Sequence, residues 1–510
     1  MSEGLLFTGA EWDFDKVQRT HDAIAEIAHG ELGLDTYPNQ IEVITAEQML
    51  DAYSSIGMPL MYKHWSFGKH FARDETLYRK GMRGLAYEIV INSSPCISYI
   101  MEENSMPMQA LVIAHAAFGH NHFFKNNGLF RQWTDAKGIL DYMDFAKGYL
   151  ARCEERYGQA AVERVVDAAH ALMSHGVHKY PRKRTPDLAD EERRAAERRE
   201  YQEKMFNDLW RTVPKPASTK QGSQELAERK RRLGLPEENL LYFLEKMAPK
   251  LAPWQREIIR IVRKISQYFY PQKQTKMMNE GCATFVHYTI VNRLHELGKL
   301  SDGAMLEILH SHTSVVFQPD FDDRRFSGLN PYALGFAMMQ DIRRICEQPT
   351  AEDHQWFPDF AGNGDPFGTL RQAWADFRDE SFLLQYLSPA LIRKLRLFKI
   401  HDIAEASDME ITAIHNERGY REVRKALSRS YDIAHMDPDI QIVDVDLAGD
   451  RRLILHHMVE NGMMLVEAEA VRVLRHVANL WGYEVRLVEI DSATDAILRI
   501  HEDIGPSVEA

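Results

Sequence analysis

Three histidines set into one apolar stretch, Ala110–Asn127 (ALVIAHAAFGHNHFFKNN), are the residues of this chain best suited to chemistry. Leu111, Val112, Ile113, Ala114, Ala116, Ala117 and Phe118 leave almost no polar face, so this helix is expected to be buried on all sides. A buried imidazole without a partner is costly, so His115, His120 and His122 each call for a metal ion or a carboxylate. His115 and His122 share a face but stand about two turns, or roughly 10 Å, apart. His115 and His120 are turned about 140° from each other on a regular helix. A one-residue π-bulge would bring those two onto the same side, and such bulges occur at functional sites.

A second stretch, Met277–Tyr288 (MMNEGCATFVHY), supplies the acid. Glu280 lies beside Gly281 and Ala283, small residues that permit close helix packing, and His287 shares its face two turns on. Two or three histidines with one glutamate suit zinc or iron with a position open for water. The expected ligands are therefore His115, His120, His122 and Glu280, with His287 as an auxiliary acid or base. A metal there would generate a hydroxide nucleophile or polarise a carbonyl. The competing reading is a buried His–Glu network that only locks two helices together.

The remaining histidines have plainer explanations. His64 and His70 fall in an aromatic cluster that reads as core packing, and His170, His175 and His178 fall near a helix end, where the dipole favours them. Asp167/His170 and Glu307/His310 have the acid-x-x-His spacing of a di-iron bundle, but two matches do not exceed chance in so acidic a chain.

The elements that must position these residues are mostly helical. Pro107 in the first turn and Ser105 as cap start the histidine helix. Ala86–Asn92 and Cys96–Met101, around Ser93-Ser94-Pro95, predict a β-hairpin running directly into it. The expected class is α+β: a predominantly helical N-terminal body with a short hairpin, plus a small C-terminal α+β domain. Segment boundaries fall at 1–181 (body with the histidine helix), 182–235 (a charged insertion or linker), 236–396 (helices completing the body) and 397–510 (the small domain). In the last, a helix at Tyr420–Ser430 precedes strands Ile440–Leu447 and Leu453–Val459, helix Glu467–Trp481 and strand Tyr483–Ile490.

The 510 residues carry a net charge of −13, which argues against a nucleic-acid-binding body. Four scattered cysteines without a CxxC give no disulfide framework, and the start MSEGLLFTGAEWDFD lacks a signal-peptide pattern. No run reaches the roughly 20 apolar residues of a membrane span. A cytoplasmic location is expected. The small C-terminal domain has no phosphate-binding glycine loop, and no nucleotide cofactor is expected.

The histidine helix running into HFFKNN, the NEGCATFVHY segment and the later Asn330–Phe336 (NPYALGF) together strongly resemble the stage V sporulation protein R (SpoVR) family, in its enterobacterial-type members. The resemblance implies a role in spore cortex formation in spore formers. Elsewhere it implies stationary-phase or stress physiology, with a serine protein kinase as functional partner. A second similarity is to gluzincin aminopeptidases: Asn279–Ala283 is similar to the segment giving their third zinc ligand, which maps to Glu280, and Val112–His115 resembles the start of their zinc helix. The general-base glutamate of those enzymes falls here on Ala116, so another group would have to activate water. The resulting expectation is a metal-dependent hydrolase acting on a peptide or peptidoglycan-related amide. The alternative is a non-catalytic regulatory or scaffold protein.

Overall fold

The computed structural model describes residues 4–55, 58, 60–80, 88–179, 233–320, 323–397, 402–404, 407–409, 416–432, 436–460 and 462–503. The expected linker at 182–235 lies almost wholly outside them. The protein is α+β and predominantly helical, with small sheets of three and four strands. It forms two compact units, each assembled from two separate stretches of sequence: Met1–Lys147 with Tyr270–Ile433, and Gly148–Phe269 with Ala434–Ala510.

The first unit holds every residue singled out in the two central motifs. Asp13 caps helix α1 (Phe14–Ala25) by accepting from the Lys16 amide, and the chain continues into a π turn, Glu26–Glu31. Strand β1 (Asn39–Ile44) ends in a Thr45/Gln48 capping box that starts helix α2 (Ala46–Ser54), and helix α3 (Trp65–Arg79) follows. The predicted hairpin is present as β2 (Glu88–Ile91) and β3 (Cys96–Met101), antiparallel. β1 lies parallel on the other side of β3, giving the order β1-β3-β2.

Ser105 caps the histidine helix as expected, its Oγ accepting from the Met108 amide, and Pro107 fills the first turn. The helix runs α-helical from Met106 to Ile113, as a π-helix from Ala114 to His120, and α-helical again from Asn121 to Asn126. Every residue from Met106 to Phe124 is buried, as its apolar composition requires. Buried beside it runs the NEGCA helix, Lys276–Glu296, whose N-terminal amides at Met277 and Met278 are both accepted by the Asp379 carboxylate at 2.8 Å. Helices Asp302–Val315 and Pro331–Glu347 complete the surroundings of the site.

Contacts here are closer than side chains allow. A Cβ on Gly119 would lie 2.5 Å from Ala283 Cα, and one on Gly281 would lie 2.7 Å from Gly335 Cα. The small residues of NEGCA thus have a steric reason: the NEGCA helix touches backbone on both sides.

In the second unit, strands β6 (Ile440–Val445), β7 (Leu453–Val459), β8 (Val485–Asp491) and β9 (Ile497–Asp503) form one sheet in that order. β7 and β8 are parallel, joined by helix Glu467–Trp481, and the outer pairs are antiparallel. The predicted helix and its two flanking strands are present, and β9 is an additional strand. Two short strands, β4 (Asp402–Ala404) and β5 (Ser407–Met409), pair in the first unit. Among the described residues, no helix is long and apolar enough to cross a membrane.

Candidate metal centre

The π-helical turn decides which histidines meet. Its wider winding carries His115 and His120 to one side, with ring centroids 4.6 Å apart and nearly perpendicular. Both rings direct Nε2 at one carboxylate oxygen of the NEGCA helix, Glu280 Oε2, at 3.9 Å and 3.6 Å. A second carboxylate arrives from the hairpin: Glu88, first residue of β2, places Oε1 3.6 Å from His115 Nε2. Glu88, His115 and His120 each bring one ligand atom within 4.8 Å of the others, and no other such group occurs among the described residues.

The far nitrogens of both imidazoles are fixed. His120 Nδ1 lies 2.9 Å from Asn279 Oδ1, so with that oxygen accepting, the proton is on Nδ1 and Nε2 presents a lone pair. His115 Nδ1 lies 2.9 Å from His287 Nδ1, and His287 Nε2 lies 2.9 Å from His312 Nδ1. Each link has one donor, so the protons of this three-imidazole chain all point the same way. When they point towards His312, His115 Nε2 is left as a lone pair, the arrangement that outer partners impose on metal-binding histidines.

Electrostatics at the centre are strained in one sense. Burial and the neighbouring Glu280 charge push the Glu88 carboxyl up to about 8. Burial, together with neighbouring imidazoles, holds His115 and His287 well below the usual histidine range, and burial brings His312 down to about 4. Glu280 Oε2 is buried without a hydrogen-bond partner. An unpartnered Glu280 carboxylate oxygen and two imidazole nitrogens therefore face one another, a layout that a cation would stabilise and that burial alone makes costly.

The NPYALGF motif surrounds this centre. Asn330 caps its helix, Tyr332 lies beside Glu280 with its hydroxyl pKa raised by burial and by the Glu280 and Glu88 charges, and Phe336 packs edge-on against His312 at 4.9 Å. Gly335 makes the close contact with Gly281. Cys282 is buried, which raises its thiol well above the usual range and makes it a poor nucleophile.

His122 is not brought to this cluster. Two residues from His120, it lies on another side of the helix, where Nδ1 accepts from the Asp35 amide at 3.0 Å and the ring packs edge-on against Trp374. Its Nε2 is buried without a partner. We expect His122→Ala to keep full metal stoichiometry by plasma mass spectrometry while losing about 1–3 kcal/mol of stability in urea unfolding. His287 sits behind His115 with both ring nitrogens engaged, so it orients that ligand candidate. Neither half of the Glu307/His310 pair is at the centre: both are exposed, and Glu307 accepts from the Ser105 hydroxyl.

Two members were not anticipated. Glu88 had a signal, a lone acid in the apolar strand AYEIVIN just ahead of the histidine helix. His312 had none beyond its type, because its role depends on how the helix Asp302–Val315 packs.

Comparison with known proteins agrees with the motifs. The model of the family described as SpoVR like protein matches residues 11–436, and that of the SpoVR-like C-terminal domain matches residues 438–492. The chain is 55% identical over 485 residues to "Uncharacterized protein YcgB" of Escherichia coli (strain K12), covering 94% of this chain and 93% of that protein. No solved structure matches. The chain belongs to the SpoVR family.

Proposed function

We propose that this SpoVR-family protein is a metal-dependent hydrolase acting on a peptide or peptidoglycan-related amide, with zinc or iron held by His115, His120 and Glu280. One observation carries the reading: two imidazole Nε2 atoms converge on a buried, unpartnered carboxylate oxygen, with a second carboxylate alongside. Mixed nitrogen and oxygen donors suit those metals. A divalent metal bound there would polarise an amide carbonyl and lower the pKa of a water.

The chain's own groups account for the rest. Asn279 and His287 fix the two imidazoles from behind. Glu88 is the acid/base group: a carboxyl titrating near neutrality can both take and return a proton. It replaces the role that Ala116 cannot fill and relieves His287 of it. The alternative, a regulatory or scaffold protein with a structural His–Glu network, would leave the Nε2 atoms facing Glu280 with no partner that explains them.

The deciding experiment compares metal-reconstituted protein, chelated protein and Glu88→Gln on a panel of peptides and peptidoglycan fragments, with products identified by mass spectrometry. Cleavage by the first alone supports the proposal; no cleavage by metal-replete protein across the panel counts against it.

The Glu88 carboxyl also gives a proton signature. Near pH 7 it is protonated in the metal-free protein, and a cation beside it favours the carboxylate. Calorimetry in buffers of differing ionisation enthalpy should find about one proton released per metal at pH 7 and almost none at pH 9. Apparent affinity therefore rises with pH up to about 8 and then levels off. Glu88→Gln abolishes the release.

A further inference from the structure

The three-stranded sheet also has a face turned away from the candidate metal centre. In the β1–β3–β2 register Glu88 is opposite Ile100, whereas Tyr99 is beside Glu42 and Ile89. Successive strand residues point to opposite faces, so Glu42 and Tyr99 look away from the candidate metal centre. On that side a cavity of about 540 Å³ is lined by Glu42, Glu47, Asp51, Phe71, Tyr99 and the aliphatic Ile44.

We propose that this cavity binds an organic polycation, two or more ammonium groups on an aliphatic chain. Among the described residues, Glu42, Glu47 and Asp51 have no cationic partner, and Glu42 accepts from the neutral Gln40 side chain at 2.6 Å. Tyr99 is nine-tenths buried in the wall, and its hydroxyl makes no hydrogen bond to another described residue, leaving it to accept from an ammonium group. Phe71 and Tyr99 supply aromatic rings to the lining, which suit a cation, and Ile44 and Ala52 offer apolar surface to its methylenes.

The spacing selects the ligand class. The three carboxylates do not bring ligand oxygens within 4.8 Å of one another, as the Glu88–His115–His120 group does, so they cannot converge on a bare metal ion. Three carboxylates that line one cavity without converging match charges separated along a chain. Such an occupant has two sources, a free polyamine or the lysine side chains of a peptide.

Calorimetric titration of the full-length protein at low salt, with spermidine in one arm and trilysine in the other, separates them. Saturable binding of either supports the proposal, and the arm that binds identifies the source. Glu47→Gln/Asp51→Asn, both exposed positions, should weaken binding about tenfold, and Tyr99→Phe, which removes only the hydroxyl, about threefold. Unchanged circular dichroism and unchanged metal content verify that the variants fold and that the other face of the sheet is intact. Absence of saturable binding in both arms overturns the proposal. So does binding that the double variant leaves unaltered, or that equimolar magnesium displaces completely.

Discussion

Untagged protein is expected to carry about one zinc or iron per chain, and His120→Ala or Glu280→Ala to carry none after purification. That is the largest effect expected of any single substitution at the proposed centre. Replacing an outer partner of a metal ligand costs typically 10–100-fold in affinity. Removing a proposed ligand itself must cost more, because the site loses a donor and keeps the other groups that a metal would bind. Glu280 faces both imidazoles, so its loss removes the group that makes the two histidines one site. His287→Ala belongs to the outer class and should retain metal with affinity lowered within that range. Plasma mass spectrometry with competition titrations distinguishes these outcomes, and circular dichroism tests whether the variants remain folded. Stoichiometric metal in both His120→Ala and Glu280→Ala, or none in the parent protein, would sink the ligand assignment.

Gly335→Ala should be the most destabilising single-methyl change in the first unit. Its Cβ would lie 2.3 Å from the Met277 carbonyl oxygen and 2.8 Å from Gly281 Cα. Overpacking in a core typically costs about 1–3 kcal/mol, because side chains can shift. Here the obstacle is backbone on the neighbouring helix, so the two helices must separate. Separation also moves Glu280, next in sequence to Gly281, away from the imidazoles of the histidine helix. We therefore expect at least about 3 kcal/mol of lost stability in urea unfolding, with metal binding weakened in whatever protein folds. A control at exposed Gly303, where an added methyl meets nothing within 4 Å, should be stable and bind metal normally. A Gly335→Ala protein as stable as its parent would mean that the helices are not packed as described.

Much of the positioning machinery was legible from residue types. Ser105 and Pro107 announced the start of the histidine helix, and its uninterrupted apolar run announced complete burial. Two β-rich runs around Ser93-Ser94-Pro95 gave the hairpin, since period-two apolar segments at a turn have few other solutions. The five-residue step from His115 to His120 posed a geometric problem whose answer, a π-helical turn, is what the structure contains.

His115 and His287 are 172 residues apart, and His120 and Asn279 are 159 apart, and no periodicity reaches over such separations. β1 was missed because its polar Asn39, Gln40 and Glu42 blur the alternation that marks a strand. His122 shows the limit from the other side: a third histidine nearby counts for nothing when its helix face turns towards Asp35 and Trp374.

The sequence by itself determined the family, the α+β class and the two helices that carry the histidines and the acid. Those follow from local composition and spacing, which each segment satisfies independently. Only the tertiary structure decided that His115 and His120 meet Glu280, that Glu88 rather than His122 joins them, and that His287 and His312 stand behind. The physical reason is that a site needs donor atoms placed to within about an ångström. That placement comes from where glycines let backbones touch and which face each helix turns inward, neither of which is written in any one segment.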